Sequence, residues 1–423
     1  MTEPTMPKEK PKAILVDIIP LHLSKFEAFK RLEELESLVS TYGGIVVVKA
    51  VQKRDMPDYQ TYIGKGKVQE ILAEAKEKGV SYVILNNIAK TKQLFNLNEI
   101  FNKDKIQVWD RIDIILNIFE KHAQSTEAIL QIELARIRHM GPRIMGMGKD
   151  LMRQEGRIGI RSGQGESNIE LMKRHLRTQE LKILEKLKHY DTINEGHRKR
   201  RKRDNFKTAA LVGYTNAGKS SLMKALTNKD VYIADELFAT LETKVGKIYI
   251  QNIQKEVLIS DTIGFIQDLP PDLISAFKST LGETIDADII LHVIDISDPL
   301  MEMKIKVVEE ILKQLGVDKK PKIYVFNKID LIEEFKKIDE NGENKEEIFR
   351  PIGLLKAGEE TAKLLGWEKH DDQLEALKNN YPEIDMLELK AKYKQYSPVF
   401  VSAVKKQNLN DLIKTLTSKI LYE

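Results

Sequence analysis

The sequence predicts an α/β protein in three parts: an N-terminal parallel α/β domain, a long antiparallel helical hairpin, and a doubly wound α/β domain. Three observations carry this. Short β-branched runs alternate with segments of helical period near both ends of the chain, apolar residues in the middle step by three and four, and a strand, a glycine loop and a helix open the last part. With 423 residues there is length for two or three packed cores. At 42% hydrophobic and 31% charged the composition is that of a folded, water-soluble protein. No cysteine is present, which removes disulfides, thiolate zinc sites, iron–sulfur clusters and cysteine nucleophiles together and fits a reducing, cytoplasmic setting. No apolar run approaches the roughly 18 residues that span a bilayer, so neither secretion nor a membrane span is expected. Net charge is +4, and a polyanionic partner must therefore be met by local clusters of cations.

The first domain is expected over residues 11–111. Its strands read AILVDII, IVVVKAV, SYVILNN and IQVWD, and the first two are joined by a helix whose face carries Phe26, Phe29, Leu32, Leu35 and Val39 before Gly43 and Gly44 stop it. The hairpin is expected over 112–203. Ile115, Phe119, Ala123, Thr126, Leu130, Leu134 and Ile137 predict one unbroken helix, and Ile169, Met172, Leu176, Ile183, Leu187 and Tyr190 predict its antiparallel mate. Between them Gly146, Gly148, Gly156, Gly159, Gly163 and Gly165 alternate with Arg143, Lys149, Arg153, Arg157 and Arg161, the pattern of a basic, flexible tip. HRKRRKR, from His197 to Arg203, is the densest positive run and reads as a basic linker. The third domain, 204–423, has strands at Thr208 to Val212 and at KIYI, EVLIS, IILHVID, KIYVFN and PVFVSA, with a polar insert at about 333–397 that contains helical stretches.

The strand ALVG runs into GYTNAGKS (Gly213, Tyr214, Thr215, Asn216, Ala217, Gly218, Lys219, Ser220), and a helix beginning at Ser221 follows. Glycines let backbone N–H groups close around phosphates, Lys219 neutralises the β and γ oxygens, and Ser220 offers a hydroxyl to Mg²⁺. DTIG (Asp261, Thr262, Ile263, Gly264) leaves the strand EVLIS, where a carboxylate can hold magnesium through water and the Gly264 N–H can meet a γ-phosphate. NKID (Asn327, Lys328, Ile329, Asp330) follows KIYVF. Its Asp330 carboxylate can accept from both the ring imino hydrogen and the exocyclic amine of guanine, a donor pair that adenine lacks. Ser402 and Ala403, with Val404 after them, would bring a backbone N–H to the guanine carbonyl oxygen. DTIG, NKID and Ser402–Ala403 are each weak alone; with the glycine loop, all four in order, each at a strand end, point to a Mg²⁺-dependent GTP/GDP site.

This ordered set resembles the translation-factor-like P-loop GTPases. LFATLE at Leu237 to Glu242, with DTIGFIQDLPPDLISAFKSTL, narrows the resemblance to the HflX family. YIGKGKVQE at Tyr62 to Glu70, the QIELARIRH helix and GMGKDLMRQEGRIGIRSGQGES extend it upstream. The resemblance implies that the FATL threonine, here Thr240 within Phe238, Ala239, Thr240, Leu241 and Glu242, reaches magnesium and the γ-phosphate in the GTP state, with Thr243 as the fallback. Lys219, Thr240 and Gly264 are then the catalytic residues, and Ser220 and Thr240 the metal ligands.

Many small GTPases place a glutamine directly after DxxG, whereas Phe265 here can neither donate to nor accept from water. Two readings stand together: a partner orders the loops or supplies a polar group, or Phe265 packs a local core while another side chain orients water. The resemblance also implies a monomer that binds ribosomal RNA of the large ribosomal subunit and splits stalled or idle ribosomes when loaded with GTP. An assembly factor, or an RNA-binding scaffold using GTP only for release, is the alternative; intact Lys219, Ser220, Asp261 and Asp330 argue against a vestigial pocket. Both cationic clusters suit RNA phosphates. GKGK at Gly64 to Lys67 could meet a phosphate, and equally reads as an RNA contact or a plain helix entry. About twenty residues follow Ser402, where many bacterial members carry a further small domain.

Overall fold

The computed structural model describes residues 10–23, 25–139, 164–204, 206–227, 237–238, 244–251, 254–266, 273, 281–338, 344–351 and 385–421. The chain divides into two compact units, residues 1–193 with 269–277, and residues 194–268 with 278–423.

In the first unit, β1 (Lys12–Ile19), α1 (Lys25–Tyr42), β2 (Ile45–Lys53), α2 (Lys65–Lys78), β3 (Tyr82–Leu85), α3 (Thr91–Phe101) and β4 (Gln107–Trp109) build a parallel sheet of order β2-β1-β3-β4. Beyond Lys12 every residue of β1 is buried, as a parallel strand covered on both faces requires. Ile14, Val16 and Ile18 pack with Val68, Ile71 and Ala75 of α2 and Leu94, Leu97 and Phe101 of α3, while Leu15 and Ile19 are buried on the other side. Gly79 ends α2 in the left-handed region at φ 63°, where its N–H meets the carbonyls of Ala75 and Lys76.

The helix expected to run unbroken from Ile112 to Ile137 is two. Asp110 caps α4 (Arg111–His122) by accepting from the N–H groups of Ile112 at 3.0 Å and Asp113 at 3.1 Å, and Asp113 returns a carboxylate to the Asp110 N–H. Ala123 is extended, and the Ser125 hydroxyl accepts from the Ala128 N–H at 3.2 Å to start α5, residues 126–139. A serine cap thus overrides a continuous apolar period. Leu130 and Leu134 of α5 and Ile183 and Leu187 of α6 (Gln164–Arg203) are buried, and Arg138 pairs with Glu180 at 2.9 Å. The tip residues Gly146 to Arg161 lie outside the described residues.

The second unit begins inside α6. Far from being a separate linker, HRKRRKR forms the end of that helix. Arg201 grips both carboxylate oxygens of Glu283 at 2.6 and 2.8 Å, and Arg198 meets Asp286 at 2.9 Å, so two of its cations are held by α8 (Gly282–Asp286). The sheet contains β5 (Lys207–Gly213), β6 (Lys244–Ile250), β7 (Lys255–Asp261), β8 (Ile289–Asp295), β9 (Lys322–Asn327) and β12 (Val399–Phe400), in the order β12-β9-β8-β5-β7-β6. Only β6 is antiparallel to its neighbour. The chain reverses its progress at β5, the topological switch point at which open α/β sheets bind ligands. Leu222 and Met223 of α7 (Lys219–Thr227) and Leu412 and Leu416 of α11 (Leu409–Leu421) cover one face. On the other, Ile305 of α9 (Met301–Gln314) and Leu389 of α10 (Met386–Lys392) pack on Tyr324, Phe326 and Phe400. The insert opens as an antiparallel hairpin, β10 (Ile332–Ile338) with β11 (Asn344–Pro351), which is not expected from the sequence, and α10 is a helical stretch within it. Residues 352–384 lie outside the described residues. Among the described residues no helix is long and apolar enough to cross a membrane.

Candidate nucleotide site

β5 delivers Gly213 at φ 156° beside β8, where a Cβ would sit 2.2 Å from the Val293 carbonyl oxygen. Five residues on, Gly218 holds φ 88°, and its missing Cβ leaves room for the Asn327 amide, which would otherwise lie 2.2 Å away. Asn216 between them is exposed at φ 61°. The loop therefore closes only with glycine at both positions. Lys219 is buried, and its Nζ donates to the carbonyls of Gly213 (3.2 Å) and Tyr214 (2.8 Å). Burial pulls its pKa down to about 8, with Asp261 drawing it up and Lys328 adding to the fall. Such an amine is poised to gain a negative ligand.

Asp261 ends β7 fully buried, and the Ser220 hydroxyl donates to its Oδ2 at 2.7 Å. A hydroxyl and a carboxylate side by side at a helix start are hard oxygen donors of the kind Mg²⁺ takes. The Thr262 hydroxyl donates to the Leu211 carbonyl at 2.7 Å, so this threonine ties β7 to β5. Ile263 is buried. Gly264 abuts the loop: a Cβ there would lie 2.8 Å from Thr215 Cγ2 and 3.0 Å from Lys219 Nζ. The Thr215 hydroxyl is buried and has no hydrogen-bond partner among the described residues. Phe265 is buried too; its N–H donates to Gly213 O at 3.1 Å and its carbonyl accepts from Thr215 N–H at 2.7 Å.

At the far end Asn327 spans three segments. Its amide donates to the Ala217 carbonyl at 3.0 Å and its oxygen accepts the Ala403 N–H at 3.0 Å. The buried Ser402 hydroxyl bonds the Asp330 carboxylate, and Ile329 N–H reaches Val401 O at 3.3 Å. Thus the loop from β5 and the ends of β7, β9 and β12 meet on one sheet edge. Ser221 is half-buried, and Val404, directly after Ala403, is 73% exposed. Phe238 is buried at φ 59°. Ala239, Thr240, Leu241, Glu242 and the fallback Thr243 lie outside the described residues.

Sequence reasoning missed the β8 end. Asp295 pairs with Lys328 at 2.7 Å, and Lys304 sits over the Tyr214 ring at 4.7 Å while pairing with Asp298. The available signal was positional, because Asp295 closes its strand as Asp261 closes β7.

Three family models match in succession: a GTP-binding GTPase N-terminal model at residues 30–120, a GTP-binding GTPase middle region at 122–201, and a 50S ribosome-binding GTPase model at 208–328. GTPase HflX of Caldanaerobacter subterraneus is 43% identical over 77% of this chain and 74% of its own. The Flavobacterium psychrophilum protein of the same name is 40% identical over 75% of each, and that of Escherichia coli 38% identical over 79% of this chain and 77% of its own. With its P-loop GTPase domain and these relatives, the chain belongs to the HflX family of GTPases.

Proposed function

We propose that this GTPase holds Mg²⁺–GTP between the Gly213–Ser220 loop and the NKID and Ser402–Ala403 segments, and that its GTP state binds the large ribosomal subunit and splits stalled or idle ribosomes. One observation carries the nucleotide reading: Lys219, Gly264 and Thr215 converge at the end of β5 while Asn327 ties the same loop to the base motif. Lys219 neutralises the β- and γ-phosphates, and the backbone N–H groups of the loop close around them. Asp330 accepts the two guanine donors, and the N–H groups near Ala403 address the guanine oxygen. Ser220 and Thr240 would hold the metal, with Asp261 acting through water; bound there, Mg²⁺ neutralises charge developing on the phosphates. Gly264 packs so closely on Thr215 and Lys219 that a γ-phosphate must shift it, and this couples the DTIG segment to the nucleotide state.

Ribosome association is supported by the description of the family model that covers residues 208–328. We assign the parts as a nucleotide domain, a helical hairpin bearing the basic tip, and an N-terminal α/β domain, in a cytoplasmic monomer. Sucrose-gradient profiles of intact ribosomes test the reading. Conversion of 70S particles to subunits with a nonhydrolysable GTP analogue, and much less with GDP, is expected. Binding confined to precursor particles would instead identify an assembly factor.

A further inference from the structure

Asp295 closes β8 on the edge of the sheet that carries the nucleotide motifs, and its carboxylate is held from two sides. The Ser297 N–H (3.0 Å) and hydroxyl (2.6 Å) both donate to Oδ1, while Oδ2 faces the Lys328 ammonium at 2.7 Å. Both side chains are about four-fifths buried, at 19% and 22% exposure, so the pair is shielded from solvent and counterions. Lys328 itself has φ 68° and ψ 32°, a left-handed conformation uncommon for a residue with a Cβ. Its neighbours are already committed: Asn327 fastens the phosphate loop, and Asp330 is bonded to Ser402. Beyond the strands, the Ile296 N–H donates to Asn327 O at 3.1 Å and extends the pairing of β8 with β9.

A free lysine stem has many rotamers, and a ligand that packs on it must first freeze them. Here the ammonium is tethered and the backbone is fixed, so the four methylenes are ordered before any ligand arrives. We propose that Asp295 is a positioning residue for guanine nucleotides. By anchoring the Lys328 ammonium it presents the lysine stem as a preformed apolar rail for one face of the purine ring, beside the Asp330 carboxylate that reads its edge. This rests on the reading of NKID as the base contact.

The test is a double-mutant cycle on GDP and GTP affinity in the full chain, using Asp295→Ala, Lys328→Ala and the double variant. Asp295→Ala weakens both nucleotides about tenfold, chiefly through faster dissociation, and leaves kcat at saturating GTP unchanged. In the Lys328→Ala background it adds nothing. Asp295→Asn keeps an oxygen for Ser297 but loses the charge, so it separates anchoring from folding and is expected to match Asp295→Ala. Wild-type affinity in either Asp295 variant, or an equal loss with Lys328 absent, overturns the proposal. Asp330→Asn is assayed alongside. If it still prefers guanine over xanthine, the base reading fails and takes this proposal with it; a shift to xanthine combined with an additive cycle overturns only the role of Asp295.

Discussion

At the scale of single residues, two buried side chains beside the Gly213–Ser220 loop, Phe265 and Lys219, are informative. Phe265 follows DTIG, and its backbone is zipped to Gly213 and Thr215 while its ring is only 2% exposed. Of the two readings open for it, local packing is the one its surroundings support. Phe265→Ala is therefore expected to cost about 3 kcal/mol of stability through the cavity it leaves, read from the denaturant midpoint. A variant with an unaltered midpoint and altered hydrolysis would assign the ring to the reaction instead. Lys219 supplies a linkage test. Its pKa of about 8 lies below the 10.5 of a free amine because it is buried. The unfolded chain thus holds more protons than the fold between pH 8 and 10.5, and the nucleotide-free protein gains stability as pH rises through that window. Nucleotide phosphates reverse the preference by favouring the ammonium. At pH 8 binding should then take up about half a proton, rising toward one at higher pH, with affinity falling in step. Calorimetry of GDP binding in buffers of different ionisation enthalpy reads this directly, and zero uptake at about pH 8 to 9 would refute it.

At the scale of elements, the informative contact is the one between the end of α6 and α8. Arg198 and Arg201 are three residues apart on one helix face, as Glu283 and Asp286 are on the other, and the pairs meet rung to rung. Arg201 and Glu283 are about four-fifths buried, and one guanidinium nitrogen reaches both carboxylate oxygens, a charge-assisted contact worth more than a surface ion pair. Glu283→Lys is expected to destabilise the nucleotide domain by about 2 kcal/mol, and Arg201→Glu in the same chain to recover part of that, both followed by thermal unfolding. Equal destabilisation by the single and double variants would show that the pairing does not matter. These cations also show how far the sequence was legible. Strand ends and glycine spacing announced the nucleotide loop because few residues satisfy its backbone geometry. The run from His197 to Arg203 announced only charge, and whether a charge meets RNA or a carboxylate far along the chain is fixed by packing. The break at Ala123 was hidden likewise, since its serine cap interrupts no apolar period. Asp295 escaped notice because its partner Lys328 is distant in sequence.

Across the whole molecule α6 belongs to both compact units, with residues 164–193 in one and 194–203 in the other. With Arg198 and Arg201 engaged by carboxylates, the cations that remain for RNA include those of the glycine-rich stretch: Arg143, Lys149, Arg153, Arg157 and Arg161. If that stretch grips ribosomal RNA, its contribution is mainly phosphate neutralisation and release of counterions. Changing Arg153, Arg157 and Arg161 to glutamate should then abolish ribosome splitting on gradients while GDP affinity stays at its wild-type value. The milder change of the three to glutamine should lower the slope of log affinity against log salt by about 2, since each phosphate neutralised on a single strand adds roughly 0.7 to that slope. The two series together discriminate between causes. Loss of splitting with an unchanged salt slope would mean that the arginines act within the protein, and retained splitting in the glutamate variant would remove the stretch from the mechanism.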